Sequence, residues 1–227
     1  MTFHAPRSSI IKPPPTGGQG GLAPQSGHPP LGGKRGAIGI YGGSFNPIHN
    51  GHIALAQHVV TAGYADEVWF MVSPRNPLKA GDTLRPAAER LRWVEQALRP
   101  YPALKASDFE FALPVPSYTW RTLDALAAAY PDRHFVWLVG GDNWEAFARW
   151  ARGEYIISRY GLLIYPRPGS HVDAASLPAG VSVVDNAPLF PYSATQVRKA
   201  LAAGHDVSHM VPAELIEELQ RTYGPAQ

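Results

Sequence analysis

A chain of 227 residues with 45% hydrophobic residues is long enough to bury one domain, alone or with a tail, and holds no apolar run of membrane-spanning length. It has no cysteine, which removes disulfides, thiolate catalysis and Cys-ligated zinc. The formal net charge of +2 is unevenly placed: residues 1–36 carry Arg7, Lys12, Lys34 and Arg35 and no acid, leaving 16 basic against 18 acidic residues beyond them, which argues against a nucleic-acid footprint.

The N-terminus lacks the apolar core of a signal peptide, so a cytoplasmic location is the expectation, with no membrane partner. Residues 1–36 are punctuated by Pro13-Pro14-Pro15, Gly17-Gly18, Gly20-Gly21, Pro29-Pro30 and Gly32-Gly33 and offer no periodic apolar face to repay ordering entropy. They read as a disordered leader, with residues 37–227 as the folded domain. From Ala37 onward strands alternate with helices. Strands are expected at 37–41, 67–72, 104–108, 134–139, 162–165 and 181–185. Helices are expected at 52–62, 87–98, 118–130, 144–150, 154–158, 194–203 and 212–223. This spacing predicts an α/β fold, a Rossmann-like doubly wound parallel sheet with helices on both faces and its ligand at the carboxyl ends of the strands.

Candidate site residues gather after those strand ends. The first strand runs into Gly42-Gly43-Ser44-Phe45-Asn46-Pro47-Ile48-His49-Asn50-Gly51-His52. Glycines allow close backbone approach, a helix start offers free N–H groups to phosphate, and His49 and His52 add imidazole donors. Read as metal ligands with Asp66 or Glu67, the same histidines lack an acid within their own short motif, and no metal site is expected. After the second strand, Ser73-Pro74-Arg75-Asn76-Pro77-Leu78-Lys79 is a shaped loop holding a cation, Lys79. Ser117 reads as the N-cap of the helix that begins near Tyr118 and Thr119. Gly140-Gly141-Asp142 places an acid at the end of the fourth strand, and Trp144, Phe147 and Trp150 form an aromatic series with one member available to stack on a flat ligand. Ser193 with Gln196 reads as a capping box, so Ser193, Thr195 and Arg198 mark a second phosphate-binding helix start.

The segment from Gly42 to His52 resembles the G-x-F-x-P-x-H-x-G-H signature of the nucleotidyltransferase superfamily. His49-Asn50-Gly51-His52 also resembles the HIGH box of class I aminoacyl-tRNA synthetases, but Phe45 and Pro47 favour the small transferases. Ser117-Tyr118-Thr119 with Thr122-Leu123 resembles S-Y-T-x-D-T-L, Gly140-Gly141-Asp142 with Trp150 resembles G-x-D…W, and Ser193 to Arg198 resembles I-S-S-T-x-I-R. Together, over residues 37–224, these are similar to the nicotinate-nucleotide adenylyltransferase branch. The resemblance implies transfer of the adenylyl group of ATP to nicotinate mononucleotide, with Mg²⁺ on the phosphates.

It also implies roles. Gly42, Gly43, Ser44, Phe45, His49, His52, Gly140, Asp142, Ser193, Thr195 and Arg198 would bind ATP. Lys79, Ser117, Tyr118, Thr119 and Trp150 would bind the mononucleotide. His49, His52, Lys79 and Arg198 would act on the transferring phosphate. Departures from the family pattern are Ser44 for Thr, Asn46 for Asp, Arg121 for Asp, Tyr192 and Ala194 for Ile and Ser, and a Lys79 loop without the histidine of P-P-H-K. Alternatives are another acceptor (nicotinamide mononucleotide or pantetheine phosphate) and a nucleotide-binding module without turnover. Self-association is left open.

Overall fold

The structure, a computed structural model, describes Ile11, residues 36–74 and residues 84–225. Six strands, β1 (Ala37–Gly43), β2 (Glu67–Val72), β3 (Leu104–Ser107), β4 (His134–Gly140), β5 (Leu162–Tyr165) and β6 (Val181–Val183), form one sheet in the order β3-β2-β1-β4-β5-β6. Every neighbouring pair is parallel. The chain winds outward from β1 to β3, then returns to the other side of β1 and winds outward again. This reversal opens a crevice beyond the carboxyl ends of β1 and β4.

Among the described residues five α-helices lie between the strands, α1 (Asn50–Thr61), α2 (Ala87–Leu98), α3 (Thr119–Ala129), α4 (Gly141–Trp144) and α5 (Gly153–Arg159), and two follow β6, α6 (Ala194–Ala202) and α7 (Ile216–Tyr223). Successive strand residues point to opposite faces, and here both faces are covered, so the central run of β2, Val68 to Val72, and all of β5 are continuously apolar. Val68, Phe70 and Val72 of β2 join a core with Ile53 and Val59 of α1, Trp93 and Val94 of α2, Val197 of α6 and Leu219 of α7. Trp69 and Met71 face the other way, into a core with Leu123 and Leu126 of α3 and Ile156 of α5.

Sequence and structure agree on both bounds of β2, α2 and β5. Elsewhere the differences have physical causes. Helix α1 begins two residues before His52, with His49 itself at the N-cap. The segment expected to be helical at 144–150 divides into α4 and a 3-10 turn at Phe147–Arg149. Aromatics three apart eclipse on a 3-10 turn, and the rings of Trp144 and Phe147 lie 5.3 Å apart, those of Phe147 and Trp150 5.0 Å. Tyr118, not Ser117, occupies the N-cap of α3, and the Ser117 hydroxyl is buried. At α6 Ser193 Oγ accepts from Gln196 N–H, but the Gln196 amide bonds Pro191 O, so only half of the expected capping box forms.

Of the leader, Ile11 is paired: its N–H donates to Ala106 O at 2.9 Å and its carbonyl accepts from Ser107 Oγ at 3.1 Å, along the edge strand β3. The rest of residues 1–35, and the loop with Lys79, lie outside the described residues.

Candidate active site

Strand β1 ends at Gly42-Gly43, where bulk is excluded from both sides. A Cβ on Gly42 would run into the indole of Trp137, and one on Gly43 would stand 2.9 Å from the Phe45 ring. Phe45 turns the chain at φ 44°, a conformation side chains rarely adopt, and its ring is pinned 5.6 Å from Tyr41, 5.3 Å from Phe70 and 5.2 Å from His52. Ser44 is buried with it.

The two imidazoles stack, with centroids 3.6 Å apart and planes at 22°. His49 N–H donates to His52 Nδ1 at 3.2 Å, which leaves the proton of a neutral His52 on Nε2, as a donor. His49 is 3% exposed, and its Nδ1 is buried with no hydrogen-bond partner. Burial first, and the positive charge of Arg167 second, lower its pKa from 6.5 to about 3, so it stands neutral. An unpartnered buried nitrogen and a second ring with Nε2–H form a pair of groups whose charged forms an arriving anion would favour.

The second helix start meets this turn. Arg198 Nη1 donates to Asn46 O at 2.7 Å and Nη2 to Thr195 Oγ1 at 3.2 Å. The Tyr192 ring lies 5.6 Å from His49. Asn50 N–H donates to Met210 O at 2.8 Å, and its amide to His209 O at 3.1 Å. Thus the start of α6, some 150 residues downstream, is tied to the turn ahead of α1 through Arg198 and Asn46, with Tyr192 against His49. The change from Asp to Asn at 46 keeps the acceptor that the fold uses: Asn46 Oδ1 accepts from Arg85 N–H at 3.2 Å and Tyr223 hydroxyl at 2.9 Å.

Beside β1, β4 delivers Gly140, buried, and Asp142, whose carboxylate is 59% exposed in the first turn of α4. The other half lies on the α3–α5 side of the sheet. Arg152, two residues after the half-buried Trp150, lays its guanidinium 4.2 Å over the Trp120 ring of α3. That start presents Tyr118, 38% exposed, and Thr119. Arg121 stacks on Tyr118 and Trp120 at 5.2 and 5.1 Å, so the departure from Asp is absorbed by ring contacts.

Arg167 is not among the residues singled out from the sequence, yet it belongs here. It follows β5, donates to the Tyr165 hydroxyl at 3.3 Å, stands 4.0 Å from Asp142 and acts electrostatically on His49. Its Nε is buried without a hydrogen-bond partner. Its signal in the sequence is a cation directly after a buried strand, in Tyr165-Pro166-Arg167-Pro168-Gly169. Among the described residues no group of three or more His, Asp or Glu side chains could hold a metal, and no helix is long and apolar enough to cross a membrane.

The profile of the cytidylyltransferase-like family matches residues 40–200. A relative from Bacteroides fragilis, described as a probable nicotinate-nucleotide adenylyltransferase, is 48% identical over 185 residues, covering 81% of this chain and 92% of that protein. The chain belongs to the nicotinate-nucleotide adenylyltransferase family. A member of that family from Porphyromonas gingivalis is 40% identical over 174 residues, 77% of this chain and 88% of its own. Among solved structures, a Plasmodium falciparum nicotinic acid mononucleotide adenylyltransferase complexed with NaAD superposes with a TM-score of 0.65 at 18% identity, covering 84% of this chain and 99% of that one. At that identity the likeness concerns the fold. Members of the family are nucleotidyltransferases, and this chain is one by sequence and architecture.

Proposed function

We propose that the chain transfers the adenylyl group of ATP to nicotinate mononucleotide, giving nicotinate adenine dinucleotide and pyrophosphate in NAD biosynthesis. The observation that supports this reading is the contact between the two helix starts, Arg198 of α6 donating to Asn46 O in the turn that leads from β1 to α1. In this reading one triphosphate runs from the stacked histidines to the hydroxyls at the start of α6.

The acceptor's phosphate is already an anion at neutral pH, so no general base is required. Its oxygen attacks the α-phosphorus in line, the bond to the bridging oxygen of the β-phosphate breaks, and pyrophosphate leaves. Catalysis is then positioning and charge neutralisation. In this reading His49 and His52 donate to the α-phosphate as negative charge grows there. Ser193, Thr195 and Arg198 hold the β- and γ-phosphates. Gly42, Gly43, Ser44 and Phe45 shape the turn, and Gly140 and Asp142 meet ribose. Trp150 stacks on the pyridine, while the main chain from Ser117 through Tyr118 to Thr119 meets the carboxylate end. Lys79 neutralises phosphate, and Arg167 joins it from the β5 side.

The donor set facing the phosphates is imidazole, guanidinium and hydroxyl, which suits oxyanions better than a metal. Mg²⁺ therefore fits as part of the substrate, held by phosphate oxygens and water. A cytoplasmic location belongs to the same reading.

The test is pyrophosphate release with ATP and each candidate acceptor in turn. The expected result is turnover with nicotinate mononucleotide well above that with nicotinamide mononucleotide or pantetheine phosphate. Preferential turnover with another acceptor, or nucleotide binding with no pyrophosphate release, would overturn the proposal.

A further inference from the structure

Glu110 is a buried carboxylate that the reaction above does not use. It sits on a 3-10 turn (Phe109–Ala112) between β3 and α3 and is 2% exposed. Among the described residues no ion pair includes it. Burial favours its neutral form and raises its pKa; three hydroxyls, of Thr122, Ser73 and Ser117, oppose that shift. An apolar side chain would fill this place at lower cost, so what the carboxylate contributes must lie in the direction of its hydrogen bonds.

Those bonds join two different elements. Thr122 Oγ1, in the first turn of α3, donates to Oε1 at 2.7 Å, and Ser73 Oγ, just past β2, donates to Oε2 at 2.9 Å. Ser73 is fixed in turn: its N–H donates to Gly43 O at 3.0 Å and its carbonyl accepts from Arg90 at 2.9 Å. Thr122 N–H donates to Tyr118 O at 3.2 Å. A continuous chain of hydrogen bonds therefore runs from Gly43, in the phosphate-binding turn, through Ser73, Glu110 and Thr122 to Tyr118, at the start of α3.

We propose that Glu110 is a positioning residue for the acceptor: it fixes the distance between the phosphate-binding turn at Gly43 and the α3 start at Tyr118–Thr119, and so aligns the mononucleotide's phosphate with the α-phosphorus. This rests on the functional reading above, in which the α3 start holds the acceptor. In-line attack needs the reacting atoms about 3–3.5 Å apart, and a displacement near 1 Å costs on the order of 10²-fold in rate. ATP, gripped by the turn and by α6, does not depend on the brace.

The test is steady-state kinetics of Glu110→Ala, Glu110→Gln and Thr122→Val, with each substrate varied in turn and thermal melting of each variant alongside. Glu110→Ala is expected to lower kcat/KM for nicotinate mononucleotide by roughly 10²-fold while the KM for ATP stays within about two-fold. Glu110→Gln keeps one acceptor oxygen and nearly the same shape, and should recover most of the loss. Thr122→Val cuts one arm without changing volume and should show the same acceptor-selective defect, smaller in size. If Glu110→Ala does not fold, the Gln and Val variants carry the test. A KM for ATP that rises several-fold in Glu110→Ala, or a Thr122→Val variant indistinguishable from wild type, would overturn the inference while leaving the reaction intact. A wild-type protein that turns over no nicotinate mononucleotide would instead sink the functional reading, and this inference with it.

Discussion

Arg90 offers the sharpest test of how the site is held. It lies on the inward stripe of α2, with Trp93, Val94 and Ala97, and is wholly buried. Its guanidinium reaches three separate segments: Nε donates to Arg85 O at 2.9 Å, Nη1 to Ser44 O, and Nη2 to Ser73 O at 2.9 Å and Pro74 O at 3.2 Å. No carboxylate pairs with it among the described residues. Arg90→Met keeps the stem's volume and removes every donor. The three shortest bonds, at roughly 1.5–3 kcal/mol each for a charged donor, give a gross loss of about 7 kcal/mol. Removing the guanidinium also relieves its desolvation, a cost of several kcal/mol, so the net destabilisation should be about 3–4 kcal/mol. For a domain of this size that lowers the melting temperature by roughly 10 °C. Because Ser44 O is one of the acceptors, turnover should fall too. Arg90→Lys retains the charge but cannot span three segments, and should fall between wild type and Met. Thermal melts followed by circular dichroism measure this directly. A Met variant melting within about 2 °C of wild type, or a Lys variant worse than Met, would show that the guanidinium is not what ties these segments together.

Substituting either histidine should leave a cooperative melt while lowering turnover by roughly 10²–10³-fold, the scale for losing a donor to the transition state; wild-type turnover in His52→Ala would remove that residue from the mechanism. Gly42→Ala forces a methyl into Trp137 and should cost about 1–3 kcal/mol, with a rate loss from the displaced turn; a melt unchanged from wild type would contradict the packing at β1's end. The folded-state pKa of His49, about 3, lies below the ordinary value of 6.5, so the unfolded chain binds the extra proton between them. The stability contributed by neutral His49 is therefore complete above pH 6.5 and is lost as pH falls toward 3. The stability gap between wild type and His49→Gln should move against wild type from pH 7 to pH 4.5; a gap independent of pH would mean that His49 is not held neutral.

How far the sequence carries can be seen in particular elements. Strand β2 was readable to the residue because Val68 to Val72 is buried on both sides and so is continuously apolar. The bend after β1 is legible in the glycine pair because the Trp137 and Phe45 rings leave no room for a side chain at Gly42 or Gly43. The segment 144–150 reads as one helix because aromatic spacing of three fits an α-helix and a 3-10 turn alike, whereas the structure ends α4 at Trp144 and places a 3-10 turn at Phe147–Arg149. Arg90 and Glu110 were invisible for a different reason. Each satisfies its charge with main-chain carbonyls or hydroxyls from distant segments, and a chain read in order shows none of these partners. Arg167 had a local signal after β5, but its significance comes from its proximity to His49, a relation between residues more than 110 positions apart.

The Tyr223 hydroxyl bonds the side chain of Asn46, and Trp93, beneath it, bonds Glu218 of the same helix. The nucleotide turn thus takes a supporting contact from a helix made about 175 residues after it. On the ribosome the β1–α1 segment emerges early but stays unbuttressed until α7 has cleared the exit tunnel. The geometry of the turn is then acquired late, once α7 is free to pack, and fragments released earlier would carry the two histidines without it.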